Sequence, residues 1–472
     1  MQEKKTTPNP DQYWDGTLPP SNTATVFGGG TGTALDPYII DTAARFALLS
    51  ANVRSGYSYG SIKGTSTTPP VPVRYFKLTC DIYLNAASVT ASSVNAGVPT
   101  PWSNTPTAPY PWYPIGGAGA GPDDKGHSYC FGGRFDGDNH TIHNAFYNRS
   151  TSVGKGCNPA NEVGIFGDIT NEAEIKNLKT AGGYIGANIS VGGIVGRTWG
   201  GDIINCHNEN FVYGIGSQGA GGIAGTSWVY IPDPEPDGTR MSAEPPVINK
   251  CSNKATVVSN YFKNTTIPSG SGGGIVGENE GGVINCWNEA VVTCRLNAGG
   301  IVGSNQNSSG GEPPIQVDPS YINNCYNTGN IGHSAATGVN SSIPSVDAIV
   351  SGGIMGYQTG TCENVYNIGN ITDNGVDTKP EPRNAAGQII GELNPDANEI
   401  NDYWHWYDDA TPSNAVGSPI AYQPAHFSTF DDDGKGELRD SLNNWVSQHS
   451  SIDYGSWERD SDVNDGFPYL DI

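Results

Sequence analysis

The sequence predicts an all-β fold, a right-handed parallel β-helix (solenoid) of about seven turns with a short helix capping each end. Three observations predict it. A glycine-rich motif recurs along the middle of the chain, a second motif follows most copies, and extra residues are inserted at only two points of the unit. Stacked repeats behave in this way because their corners can lengthen while their strands stay in register. The right hand follows from the preference of parallel crossover connections.

The first motif has the form GGIVG. It is too short for a helix and is bounded by glycine, so we expect a short strand beside a tight corner. Weaker copies occur at residues 163–167 and 387–391. The clear copies begin at Gly192, Gly221, Gly273, Gly299 and Gly352.

The second motif has the form INCxN and also predicts a short strand. Alternation along a strand places Ile284 and Cys286 on the inner face. It places Asn285 and Trp287 on the outer face. Stacking the copies aligns the cysteine position in an interior ladder, which consists of Cys206, Cys251, Cys286, Cys325 and Val365.

An asparagine recurs two residues after the cysteine position, at Asn208, Asn253, Asn288, Asn327 and Asn367. We expect it at one corner of each turn, because asparagine tolerates left-handed backbone and bonds to main-chain groups. The shortest unit spans 26 residues, from Ile275 to Ile301. Longer units carry insertions, and those at residues 226–246 and 304–320 leave the same corner.

These motifs resemble the GLUG-motif repeats of bacterial surface proteins, which occur also in the N-terminal region of immunoglobulin A metallopeptidases and in secreted proteins of gut Bacteroidetes. The resemblance extends over about residues 14–472. It implies a surface-exposed β-solenoid and no particular reaction, and it implies a lipid anchor in the native precursor. The HExxH signature of the zinc peptidases is absent from the sequence.

The chain is predicted to divide into a flexible tail (1–13), an N-terminal cap with the first strands (14–130), the GLUG-repeat β-helix (131–400) and a C-terminal cap with a short helix (401–472). Caps are expected because an open β-helix exposes unpaired strand edges at both ends. In the N-terminal cap, Asp41 is predicted to start a helix whose Phe46 and Val53 face the core. In the C-terminal helix, Leu438 and Leu442 share an apolar face.

The composition limits where the protein can be located and which partners it can bind. The net charge of −23 argues against binding to nucleic acid, whose phosphates require Lys and Arg. No apolar run approaches the roughly 18 residues that a membrane-spanning helix needs. Nine cysteines without a CxxC pair indicate buried free thiols, and neither a metal nor a cofactor is predicted. The polar N-terminal residues are typical of a mature secreted protein, which predicts an extracellular or outer cell-surface location.

Six aromatic residues are candidate ligand contacts. Trp199, Trp228 and Tyr230 lie at the corner from which the insertions leave. A second set occupies one outward column together with His207, namely Trp287, Tyr326 and Tyr366. Aromatic side chains in a row on a flat face suit the apolar faces of sugar rings. The alternative is that the column packs under loops or forms a structural stack.

The sequence therefore favours a non-enzymatic, adhesin-like module that binds a glycan or a host extracellular protein through its corner loops. A purely structural spacer is another interpretation. The rival is a carbohydrate-active enzyme, a polysaccharide hydrolase or lyase, with its site in a groove of the β-helix. The carboxylates available to it are Asp202, Glu209, Glu278, Glu280, Glu289 and Glu363. They do not recur in one column, so no catalytic residue is assigned.

Overall fold

The computed structural model describes residues 9–19, 27–60, 71–85, 112–117, 130–148, 161–214, 218–230, 244–260, 270–307, 319–333, 349–372, 384–393, 405–407, 416–418, 425–427 and 432–472. Within them the chain winds repeatedly through four parallel sheets, which we number 1 to 4 in the order in which each coil visits them. The predicted parallel β-helix is confirmed. Its right hand stays a prediction from the crossover rule.

Sheets 1 and 2 hold the GGIVG motif. The seven strands of sheet 1 are Glu162–Val163, Ser190–Gly192, Ala220–Gly221, Gly272–Gly273, Asn297–Gly299, Ile349–Gly352 and Asn384–Gly387. The eight strands of sheet 2 are Phe166–Ile169, Val195–Trp199, Ala224–Trp228, Val276–Asn279, Val302–Asn305, Met355–Gln358, Ile390–Leu393 and Val416–Ser418. Because the glycines of successive copies pair in register, the sequence repeat is also a structural repeat.

Sheets 3 and 4 hold the INCxN motif. The nine strands of sheet 3 are Tyr38–Ile40, Tyr75–Leu78, Arg134–Asp136, Glu174–Lys176, Asp202–Ile204, Val247–Asn249, Gly282–Ile284, Tyr321–Asn323 and Thr361–Glu363. The thirteen strands of sheet 4 are Ile82–Tyr83, Thr141–His143, Phe146–Asn148, Lys179–Ala187, His207–Gly214, Ser252–Asn253, Val257–Ser259, Trp287–Asn288, Val292–Cys294, Tyr326–Asn327, Ile331–His333, Tyr366–Asn367 and Ile371–Thr372.

The remaining described elements lie near the chain ends. Two α-helices span Ala43–Arg54 (α1) and Asp432–Gln448 (α2), and two 3-10 turns span Pro10–Gln12 and Asn464–Gly466. Two further strand pairs are His405–Tyr407 with Ala425–Phe427, which is parallel, and Ser456–Glu458 with Tyr469–Asp471, which is antiparallel. No helix in the described part of the chain is long and apolar enough to cross a membrane.

Left-handed residues form the corner between sheets 3 and 4. Asn285 has φ of 53°, and the equivalent Asn324 has φ of 57°. This corner interrupts the alternation, so that Val283 and Cys286 both point inward while Ile284 packs against aromatic residues near the C-terminus. The predicted inward position of Ile284 is therefore wrong. The left-handed residue between the two strands breaks the alternation, so that Ile284 and Cys286 point to opposite faces.

The asparagines two residues after the cysteine position do form a ladder, but inside the coil. The side-chain amide of each donates to the side-chain oxygen of the next at 2.7–2.9 Å, along the series Asn208, Asn253, Asn288, Asn327 and Asn367. Each also bonds to its own main chain; Asn288, for example, donates to the carbonyl of Ala290 at 2.8 Å. All five are fully buried. The left-handed backbone predicted for them belongs instead to the residue before the cysteine position.

The predicted cysteine ladder lines the interior. Cys206, Cys251, Cys286 and Cys325 are fully buried, and the described cysteines are free thiols. The backbone N–H of Cys251 lies 3.4 Å from the Sγ atom of Cys286, and the same contact recurs on the neighbouring coils. Burial raises the pKa of the Cys286 thiol well above its ordinary value. The column therefore acts as a stack of small apolar residues.

The last glycine of GGIVG lets sheets 1 and 2 approach each other. A Cβ atom on Gly277 would lie 2.4 Å from the Cα atom of Gly219 and 2.5 Å from the backbone nitrogen of Ala220. We expect Gly277→Ala to lower the free energy of unfolding by about 1–3 kcal/mol, because backbone atoms must move apart. Gly332→Ala is the matched control, since a Cβ there meets nothing within 4 Å. Urea unfolding followed by circular dichroism measures both; equal effects would contradict this account of the motif.

The N-terminal residues differ in two ways from the prediction. Residues 1–8 of the predicted tail lie outside the described residues, whereas Pro10–Gln12 form a 3-10 turn and Tyr13 bridges to Tyr83. The helix cap is Thr42, whose hydroxyl accepts from the backbone of Arg45, and the predicted cap Asp41 forms an ion pair with Arg45 instead. Phe46 and Val53 are buried as predicted.

The caps share sheets with the repeat. The strand Tyr38–Ile40 extends sheet 3 on the N-terminal side of residue 131, and Val416–Ser418 extends sheet 2 beyond residue 400. Hydrogen bonding therefore continues across both predicted domain boundaries.

The C-terminal segment, which we define as residues 432–472, packs along the side of the solenoid. Leu438 and Leu442 of α2 are buried against the outward rings of Tyr326 and Tyr366. The side-chain amide of Asn364 donates to the carbonyl of Leu442 at 3.2 Å. The predicted helix is present, but it covers the corner between sheets 3 and 4, so its expected position over an open end is wrong. The outward apolar residues of that corner explain this position, since they need a cover.

Candidate functional site

The outward aromatic column exists but is not a free surface. Strand register places His207, Ser252, Trp287, Tyr326 and Tyr366 in one column. The rings of Tyr326 and Tyr366 stack with centroids 5.3 Å apart and planes 3° apart. Trp457 of the C-terminal segment contacts both rings, at centroid distances of 5.7 and 5.6 Å.

This packing corrects the prediction for two of the six aromatic residues. Tyr326 is 5% exposed and Tyr366 is fully buried, so neither has a ring face available to a sugar. The column is the structural stack that the sequence left open as an alternative. Trp287 stacks on Tyr326 but is only half-buried, and its indole N–H donates to Glu289 at 2.9 Å. A ligand contact at Trp287 stays a prediction.

The other aromatic residues meet on the outer face of sheet 2. Trp199 and Trp228 occupy equivalent positions on adjacent strands, and their rings meet edge to face with centroids 4.9 Å apart. Both are half-buried. The chain then turns tightly at Gly200, where an added Cβ would lie 3.1 Å from the Cβ atom of Tyr230. The structure thus brings Trp199, Trp228 and Tyr230 together, and we call these three residues the tryptophan surface.

Arg197 holds the two indole rings in place. Its guanidinium carbon lies 4.9 Å from the ring centroid of Trp199 and 5.4 Å from that of Trp228. The same guanidinium makes a two-pronged bond to Asp168, at 2.8 and 2.9 Å, and a contact of 3.3 Å to Glu162. Burial opposes the charge, but the two carboxylates outweigh it and raise the pKa of Arg197. An aromatic pair fixed in this way is pre-organised, which lowers the entropic cost of binding.

The sequence reasoning missed this arginine and its partners. Asp168 and Arg197 follow the last glycine of consecutive GGIVG-like copies, so register alone makes them neighbours. Reading the two copies side by side would have revealed the ion pair. Glu162 lies on sheet 1, and only the close approach of sheets 1 and 2 brings it to Arg197.

Only two of the candidate carboxylates lie together beside the tryptophan surface. Glu278 is the strand neighbour of Thr226, and the carboxylate of Glu280 accepts from the backbone of Val229 at 3.3 Å. Burial, and then the charge of Glu280, raise the pKa of Glu278 to about 7.

The other candidate carboxylates are occupied elsewhere or stand apart. Asp202 accepts from the backbone of Val247, Glu289 pairs with Lys254, Glu363 lies near Trp445 of α2, and Glu209 is exposed. Among the described residues, no group of three or more His, Cys, Asp or Glu side chains could hold a metal ion.

The raised pKa of Glu278 predicts a pH-dependent stability. Because the folded state binds the proton more tightly, the stability that protonation supplies is complete below about pH 4.5 and is lost as the pH rises towards 7. We expect Glu278→Gln to be more stable than the wild type at pH 8, by about 1–3 kcal/mol, and to show no gain at pH 4. Thermal unfolding at the two pH values measures this. Glu209→Gln, at an exposed position, is the control, and an equal gain from both variants would contradict the assignment.

Comparison with known proteins identifies the repeat. Residues 187–212 match the family model of the GLUG motif. The chain carries the GLUG motif. The matched segment is one coil of the β-helix and includes Arg197 and Trp199. The copy that begins at Gly221 pairs in register with this coil, and each later GGIVG copy pairs in register with the copy before it. The predicted resemblance to GLUG repeats is therefore confirmed.

One crystal structure, described as that of a "putative immunoglobulin A1 protease" from Bacteroides ovatus, is similar to this GLUG-motif chain with 18% sequence identity and a TM-score of 0.46, over 94% of this chain and 95% of the other. No curated protein sequence matches the chain.

Proposed function

We propose that this GLUG-motif β-helix is a non-enzymatic, adhesin-like module that is secreted or attached to the cell surface and binds a glycan or a host extracellular protein. The observation that carries the proposal is the tryptophan surface, where Arg197 orients two half-buried indole rings on a rigid sheet. Aromatic rings held on a sheet provide contact area at little entropic cost. The GLUG resemblance supports an extracellular or outer-surface location and a lipid anchor in the precursor.

Glycan binding is the first test. We expect the purified protein to bind members of a host and dietary glycan array, and Trp228→Ala to weaken that binding by about fivefold or more, because one stacking ring is worth about 1–3 kcal/mol. Tyr57→Ala is the control, since Tyr57 is an exposed aromatic residue that follows α1. Circular dichroism confirms that both variants are folded. Equal losses in the two variants, or the absence of any bound glycan or host protein, would overturn the proposal.

A carbohydrate-active enzyme, a hydrolase or lyase, is the second candidate. The observation that favours it is the pair Glu278 and Glu280, one of which has a pKa near 7. Glu278 lies on the strand Val276–Asn279, and Glu280 follows the end of that strand. Two residues of extended chain span about 6–7 Å at the backbone, which is close to the carboxylate spacing in inverting glycosidases. Incubation with polysaccharides and mass spectrometry of the products decides between the candidates. Oligosaccharide release that Glu280→Gln abolishes would establish the enzyme.

A further inference from the structure

The charges around the tryptophan surface constrain the ligand. Among the described strands of sheet 2, Arg197 is the single Lys or Arg, whereas Asp168, Glu278 and Glu392 are acidic. The protein as a whole carries a net charge of −23, so no long-range field offsets this local excess of acid.

Among the described residues of sheet 2, the one cation beside the rings already forms ion pairs. Asp168 binds the guanidinium of Arg197 through two hydrogen bonds, Glu162 contacts it at 3.3 Å, and the arginine side chain is 14% exposed. One positive charge therefore faces two negative charges. If the guanidinium moved to bind an incoming anion, the buried carboxylates of Asp168 and Glu162 would lose its positive charge. That loss would cost free energy.

Carboxylates border the rings on both sides. Beyond Trp228, the carboxylate of Glu280 reaches the backbone of Val229 at 3.3 Å. Beside Trp199, the carboxylate of Glu244 accepts from the side chain of Asn171 at 3.2 Å, next to the turn at Gly200. Such groups accept hydrogen bonds from sugar hydroxyls, whereas they repel a second carboxylate or a sulfate.

We propose that the tryptophan surface selects neutral, hydroxyl-rich glycans and rejects glycans that carry a carboxylate or sulfate. The proposal rests on the binding function proposed above and adds the class of ligand. Stacking on the indole rings supplies the attraction, and the bordering carboxylates supply the discrimination. Glu280 is the specificity-determining residue that a substitution can test, because its carboxylate accepts from the backbone of Val229, next to Trp228.

The test uses matched ligands on the chain of 472 residues. One pair is a biantennary N-glycan with galactose ends and the same glycan with sialic acid ends; the other is dextran and dextran sulfate. We expect the neutral member to bind at least tenfold more tightly, with little dependence on salt. Trp228→Ala should weaken binding of the neutral ligand. Glu280→Gln should reduce the difference in affinity between the neutral and charged members of each pair. Glu209→Gln, which removes an exposed carboxylate, should leave the difference in affinity unchanged.

The outcomes separate the two proposals. Binding of the charged member as tightly as the neutral one, with sensitivity to Trp228→Ala, would overturn the charge selection and leave the binding surface intact. If Glu280→Gln left the difference in affinity unchanged, the role proposed for that carboxylate would also be overturned. If no member of either pair bound, and a wider array gave the same result, both proposals would fall.

Discussion

Replacing Asn288 with aspartate is expected to lower the free energy of unfolding by about 3–5 kcal/mol, although the two side chains have nearly the same shape. The amide nitrogen of Asn288 donates to the oxygen of Asn327 at 2.8 Å and to the carbonyl of Ala290 at 2.8 Å. An ionised carboxylate would face both oxygens without a proton to offer. Because the site is fully buried, water cannot relieve the repulsion.

The matched control is Asn330→Asp. Asn330 is exposed, and its side-chain oxygen accepts from the backbone of Asn370, which a carboxylate can also do. We expect a change within about 0.5 kcal/mol for the control. Urea unfolding at pH 7 measures both variants. A repeat at pH 4 should reduce the deficit of Asn288→Asp, because a protonated acid can donate one hydrogen bond. A deficit that does not depend on pH would contradict the electrostatic account of the ladder.

Trp457→Ala is expected to cost about 3–5 kcal/mol and to loosen the C-terminal segment from the coils. The indole is nearly fully buried between the segment and the rings of Tyr326 and Tyr366, and its N–H donates to the side chain of Asn324 at 2.7 Å. Alanine removes the ring contacts and leaves the buried side-chain oxygen of Asn324 with one hydrogen bond fewer. Chemical unfolding and hydrogen exchange of residues 432–472 measure the effect.

Trp457→Phe separates packing from hydrogen bonding. It retains an aromatic ring but not the donor, so we expect a loss of about 1–2 kcal/mol, smaller than that of alanine. Trp287→Ala, at a half-buried position of the outward column, should cost less than Trp457→Ala because it removes less buried area. Fast exchange in residues 432–472 of the wild type would show that the segment is not docked in solution and would contradict the packing described here.

Several features followed from the sequence with little ambiguity. The GGIVG and INCxN copies predicted a parallel β-helix, and the structure pairs their glycines and cysteines in register. The outward column of Trp287, Tyr326 and Tyr366 was also predicted. These successes share a cause, because in a repeat fold each copy contacts its neighbours in the same way, so equivalent sequence positions become spatial neighbours.

Other features depended on contacts between distant parts of the chain. Whether the aromatic column is exposed depends on Trp457, which is more than 90 residues beyond Tyr366 in sequence. The ion pairs of Arg197 depend on the approach of two sheets, and the raised pKa of Glu278 depends on burial that no local pattern reveals. The repeat period cannot report such contacts, because they do not repeat.

The sequence by itself determined the architecture: the strands, their stacking order, and the ladders of glycine, cysteine and asparagine. Only the tertiary structure decided which outward residues are buried. It buried Tyr326 and Tyr366 beneath the C-terminal segment and left Trp199 and Trp228 half-buried beside Arg197. The physical reason is that a repeat encodes inward faces through periodic packing, whereas the exposure of an outward face is set by whichever non-repeating segment packs over it.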